Sequence, residues 1–173
     1  MKAGVTGGFG LIGAMVLPLF VLSGCYSFRG GSVPGHLKTI VIPQVNDNTG
    51  SGRSTIRFDL TNMLIDQFRK DNSLRVTDSP DADSRLEVTI STLRVDVRRA
   101  VSSDDRETVR GVLIEAVGTF YDNVKSQPVY ESKLYRGESS YDLAEGAAGE
   151  ENAIAEALEQ LTNDILLKTV AIW

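Results

Sequence analysis

The chain carries one cysteine, one histidine and one tryptophan in 173 residues. A single cysteine excludes an intrachain disulfide framework and any zinc or iron–sulfur site built from several thiolates. A single histidine, His36, leaves little for metal binding or for His-based catalysis. Basic charge is also in deficit: 18 Lys+Arg face 23 Asp+Glu, a formal net charge of -5. That balance argues against a protein that coats nucleic acid. Apolar residues are not scarce, however. At 42% hydrophobic the chain is too apolar for a disordered one. A length near 150 residues suffices to bury roughly 68–70% of the unfolded surface in one core. The expectation is one folded domain with no cofactor, no metal and no nucleic-acid partner.

The lone cysteine finds its meaning near the N-terminus. Met1-Lys2 is followed by an uncharged stretch from Ala3 to Gly24 with an apolar centre from Phe9 to Leu22. That is the n-region and h-region of a secretory signal. A membrane-spanning anchor is disfavoured by Gly4, Gly7, Gly8, Gly10 and Gly13, by Pro18, and by the lack of a basic stop-transfer cluster before Arg29. Leu22-Ser23-Gly24-Cys25 looks like a bacterial lipobox, in which the cysteine thiol is acylated and becomes the first residue after cleavage. The expected organisation is a removed signal over residues 1–24, an acylated lead over 25–38, and one domain over 39–173. Removing the signal leaves 149 residues with 17 Lys+Arg against 23 Asp+Glu. Two or three acyl chains, unlike one, give stable membrane anchorage. Tyr26 follows the cysteine where an acidic residue commonly marks inner-membrane retention, so the outer membrane is the expected destination. Gly8-Phe9-Gly10-Leu11-Ile12-Gly13 fits a dinucleotide fingerprint, but no strand precedes it and no βαβ unit surrounds it, so it carries no such reading.

Beyond the lead, apolar periodicity sets out an α+β domain. Thr39 to Val45 is a β-branched run that reads as a strand, with Pro43 hinting at an edge or an interrupted ladder. After a turn-rich stretch from Asn46 to Gly52, Ser54 or Thr55 can cap a helix running to about Lys70. Ile56, Leu60, Met63, Leu64 and Phe68 form its apolar stripe. Leu74–Thr77 predicts a short strand, and strand–helix–strand suggests a parallel crossover. A long strand from Arg85 to about Arg98 changes alternation phase, which predicts a bulge near Ser91-Thr92. Two further strands are expected over Thr108–Tyr121 and Val129–Arg136, then a loop over Ser139–Gly149. A final helix runs from about Glu150 to Ile172. The order β-α-β-β-β-β-α predicts two helices packed on one face of a mixed four- to five-stranded sheet.

Catalytic constellations are wanting. His36 reads as an exposed loop residue with no marked neighbour. Cys25 is no nucleophile once acylated. Asp78, Asp81 and Asp83 lack the glycine and glutamate of a calcium loop and fit turn chemistry better. Asp104-Asp105 reads as a hairpin tip. A non-enzymatic protein is the expectation. The informative pattern is charge layout. Acids concentrate in the last helix and the loop before it. Arg94, Arg98, Arg99, Arg106 and Arg110 flank one connection between long strands, with Lys125, Lys133 and Arg136 in the next hairpin. Arginine forks match phosphate oxygens, so a basic sheet end suits an anionic, phosphorylated ligand. Tyr26, Phe28 and Trp173, near the two termini, are candidate partner anchors.

Several segments together resemble the LPS-assembly lipoprotein (LptE) family. They are Cys25-Tyr26-Ser27-Phe28, Ile40-Val41-Ile42-Pro43, Asn46-Asp47-Asn48-Thr49 and Leu60-Thr61-Asn62-Met63-Leu64. Most telling is Leu74–Asp78 followed by Asp81-Ala82-Asp83-Ser84-Arg85-Leu86-Glu87-Val88-Thr89-Ile90; Val88 stands where the family often has glycine. The resemblance implies two helices against a mixed sheet and no bond chemistry. It further implies a plug within an LptD-type outer-membrane β-barrel whose assembly it supports, and contact with lipopolysaccharide on its way to the outer leaflet. On charge alone, Arg98, Arg99, Arg106 and Arg110 are the candidate lipopolysaccharide contacts. The alternative is an outer-membrane lipoprotein that docks on or activates a cell-wall synthase or a secretion complex.

Overall fold

The computed structural model describes residues 33–101 and 107–171, with side chains over 33–95 and 109–171. Its first strand, β1, covers Thr39–Val41, and pairing then breaks at Pro43 and resumes in β2, Asn46–Asp47. Proline has no N–H for the ladder, so the run predicted as one strand over 39–45 is cut back to Thr39–Val41, and β2 lies in the stretch predicted as turn-rich. Both pieces lie parallel to the long strand β4, Ser84–Val101, and β1 sits inside the sheet between β4 and a short strand β3, Arg75–Val76. Pro43 therefore marks an interrupted ladder and not an edge.

Helix α1, Thr55–Asp71, buries Ile56, Leu60, Leu64 and Phe68, with Met63 half-covered. Ser54 precedes it as expected, but its hydroxyl makes no cap bond. Its backbone is already helical (φ -60°, ψ -20°), whereas a capping side chain needs an extended one. The helix ends on Asn72 in the left-handed conformation, φ 58°, whose N–H bonds the Phe68 carbonyl. Strand β3, Arg75–Val76, returns parallel to β1 and completes the crossover.

Strands β4, β5 (Glu107–Asp122) and β6 (Gln127–Asp142) form an antiparallel meander, and the sheet order is β3-β1-β4-β5-β6 with β2 against β4. The register shifts between Ile90 and Thr92, where the alternation changed phase. The segment 139–149 is not a loop. Its first four residues extend β6, a 3-10 turn covers Leu143–Glu145, and α2 runs from Gly146 to Val170. Small polar residues had hidden both elements. Tyr141 is buried opposite Arg110, and Ser139 donates to Glu156 of α2 at 2.6 Å, so tertiary partners hold this end of the strand straight.

Both helices cover the same sheet face, the face of Leu86, Val88, Ile114, Ala116 and Phe120. They run parallel to each other, from the sheet end near Tyr141 towards the end near Asp122. Helix α2 lies directly on β6 because Gly137 has no side chain: a Cβ there would overlap the Ala157 carbonyl. The opposite face, carrying Glu87, Thr119 and Leu134, has no covering layer among the described residues.

Candidate functional site at the arginine end of the sheet

The long strands create two distant ends. Ser84 pairs with Asp122 at one, and Arg98 pairs with Arg110 at the other. At about 3.3 Å per residue the fourteen-residue interval is roughly 45 Å. The domain's first described residues, Val33–His36, lie at the Asp122 end, since His36 bonds that carboxylate.

At the far end, cross-strand register sets Arg98 opposite Arg110, and Arg110 in turn opposite Tyr141. Directly opposed like charges destabilise a ladder unless an anion lies near them. The Tyr141 hydroxyl donates to Glu150 Oε2 at 3.1 Å, and Glu150 Oε1 also pairs with Arg53. Burial, followed by the bond to Glu150, raises the Tyr141 pKa, and a bond from Arg110 opposes that rise. Arg110 is thus already engaged in holding Tyr141. Of the four nominated arginines, the structure brings Arg98 and Arg110 together by register and continues β4 through Arg99. Arg106 lies outside the described residues.

The remaining basic residues do not join this end. Arg136 donates to Glu115 Oε1 at 2.6 and 3.1 Å and lies 3.6 Å from Glu138, while Lys125 sits in the turn at the Asp122 end. Arg136, first of all, holds the Glu115 carboxyl below its ordinary range. Cys25, Tyr26, Phe28 and Trp173 lie outside the described residues.

At the opposite end a polar clamp fixes the domain's entry. Asp83 Oδ2 accepts from the N–H groups of Lys38 and Thr39 and from the Thr39 hydroxyl, each at 2.9 Å. The Lys38 N–H and then the Thr39 hydroxyl hold this carboxyl below its ordinary value. Asp83 is spent on the start of β1, 44 and 45 positions away, and not on its own turn as the sequence had suggested. His36 is a correction: it is not a solvent-exposed loop residue. Its Nε2 lies 2.7 Å from Asp122 Oδ2, with side chains 29% and 2% exposed. The partner stands 86 positions away, so no local pattern could reveal it.

With this architecture drawn, comparison with known proteins is decisive. The lipopolysaccharide-assembly (LptE) family model matches residues 37–169. The chain belongs to the LptE family. No curated protein matches it. Among solved structures, the fold of this chain is similar to that of a protein from Xanthomonas campestris (11% identity, 82% of this chain and 90% of that one, TM-score 0.58). It is also shared with an uncharacterized lipoprotein B from Nitrosomonas europaea (12%, 83% and 92%, TM-score 0.56). A hypothetical protein from Chlamydia trachomatis is similar as well (10%, 76% and 95%, TM-score 0.53). At these identities the likeness is one of fold. No helix of the described residues is long and apolar enough to cross a membrane.

Proposed function

We propose that this LptE-family chain is a non-enzymatic outer-membrane lipoprotein, acylated at Cys25, that plugs an LptD-type β-barrel and supports its assembly. In the same role it helps deliver lipopolysaccharide to the outer leaflet. The family match over residues 37–169 carries the reading. The signal and Leu22-Ser23-Gly24-Cys25 supply the anchor, and a solved structure of the same fold is itself described as a lipoprotein.

Arg98, Arg99, Arg106 and Arg110 are the proposed phosphate contacts. Two arginines opposed across β4 and β5 favour an anion near them, and guanidinium forks fit phosphate oxygens. Arg110 plays a double part because it also supports Tyr141. An acidic chain can bind an anion only through such a local concentration of charge. Tyr26, Phe28 and Trp173 are proposed partner contacts at the termini.

Crosslinking and pull-down from outer membranes tests the barrel partner: recovery of a large β-barrel of LptD type is expected, and recovery of a murein synthase or secretion subunit in its place refutes it. Replacing the four arginines by Ser should weaken lipopolysaccharide binding at least tenfold with barrel recovery intact. Unchanged binding rejects the assignment of those residues.

A further inference from the structure

The seam between α1 and α2 holds a cleft of about 560 Å³ whose floor is Ile56, Met63, Ile154, Ala155 and Leu158. Asp59 and Glu151 stand on its two sides. A smaller hollow continues along the same seam from Met63, between Asp66 and Glu159. The acids here lack the partners that several acids on the sheet and on α2 have. On the open sheet face, Glu87 pairs with Arg85 and Glu115 with Arg136. On α2, Glu150 holds Arg53 and Tyr141, Glu156 holds Ser139, and Asp164 holds Lys168. By contrast, Asp59, Glu151 and Glu159 have no ion pair or hydrogen bond among the described residues, and Asp66 has only a 4.0 Å approach from Arg69. The cations at the seam are Arg53, already tied to Glu150, and Lys70 at its far end.

Unneutralised carboxylates on both banks of an apolar trough repel an anionic lipid and favour a cationic occupant. The trough runs between two parallel helices, and its acids recur at 59 and 66 on one bank and at 151 and 159 on the other. Those are two-turn intervals, the spacing at which a third helix carries flanking charges. Ala155, small and exposed, lets a backbone approach closely. We infer that this seam is a docking groove for an amphipathic helix of a protein partner, with an apolar ridge on Met63 and Ala155 and Lys or Arg on both flanks. The inference stands apart from the lipopolysaccharide reading, whose anion binds at the arginine end.

The test is a displayed library of single helices, with seven randomised positions on one face, selected against the full chain in detergent. Enriched helices should carry an apolar ridge flanked by Lys or Arg. Their binding should fall at least tenfold with Asp59→Lys plus Glu151→Lys, both exposed positions, and likewise with Ala155→Trp, which fills the trough. It should weaken further with added salt. Acid-flanked winners, winners indifferent to these changes, or no enrichment at all would overturn the proposal. So would a dimer of the chain that Ala155→Trp dissolves, since a second copy would then be the occupant.

Discussion

A carboxylate as enclosed as that of Asp122, 2% exposed, keeps its charge because His36 and the Lys125 N–H reach its two oxygens. Burial alone would raise its pKa; the bonds from His36 and Lys125 outweigh burial and hold it below the ordinary value. His36→Ala removes one partner from a buried charge and should lower stability by about 1–3 kcal/mol in urea denaturation at pH 7. His36→Gln, which keeps a donor, should recover part of the loss. The pH dependence follows from the same direction of shift. Asp83 and Asp122 are both depressed in the folded state, so their stabilisation is complete above the unfolded carboxylate value near 3.9. It is lost as pH falls through the folded values. The urea midpoint should hold from pH 7 to about 5 as far as these two groups act, then fall below about pH 4. In Asp83→Asn the drop between pH 7 and pH 3 should be smaller. An undiminished drop would show that other carboxylates govern acid unfolding.

Elements owe their placement to contacts between strands and helices that no local pattern reports. Gly137 lies under the Ala157 carbonyl, so Gly137→Ala must push α2 off β6. The cost should be about 3 kcal/mol, read as a shift in the urea midpoint with an unchanged slope. Gly35→Ala, with nothing within 4 Å of its added methyl, is the control and should be near neutral. These cases also show what a sequence can disclose. The α1 stripe, the parallel crossover and the Ser91-Thr92 bulge were legible because periods of 3.6 and 2 are local signals. The end of β6 and the start of α2 were not. Ser139, Ser140, Gly146 and Gly149 have turn-like composition; the ladder that sets Ser139 and Ser140 opposite Val112 and Gly111, and the bond from Ser139 to Glu156, give this end of β6 its regular structure. Likewise the arginine cluster was visible as composition, whereas the Tyr141–Glu150–Arg53 contact that braces it joins three separate stretches. The same logic protects the sheet's long edge. Pro128 stands near the start of β6, and Gln160 of α2 accepts the Glu138 N–H at 3.3 Å, so neither half offers a clean template for edge pairing.

At the scale of the whole molecule, entry and arginines occupy opposite ends of the sheet, roughly 45 Å apart. The acyl anchor proposed at Cys25 would join the described domain at the His36 end, opposite the arginines. Cys25→Ala should abolish palmitate labelling and deplete the outer-membrane fraction, while the chain's urea midpoint stays unchanged. The separation also distinguishes a binding site from a net-charge effect. Arg98→Glu plus Arg99→Glu changes net charge by -4 at the far end. Lys38→Glu plus Lys125→Glu changes it equally at the entry end. If anionic glycolipid is held by local guanidinium forks, the first pair should weaken lipopolysaccharide binding at least tenfold in a fluorescence titration. The second pair should alter it less than twofold at physiological salt, because a charge several Debye lengths away is screened. Equal losses from both pairs would mean that long-range repulsion, not a site at the arginine end, governs the interaction.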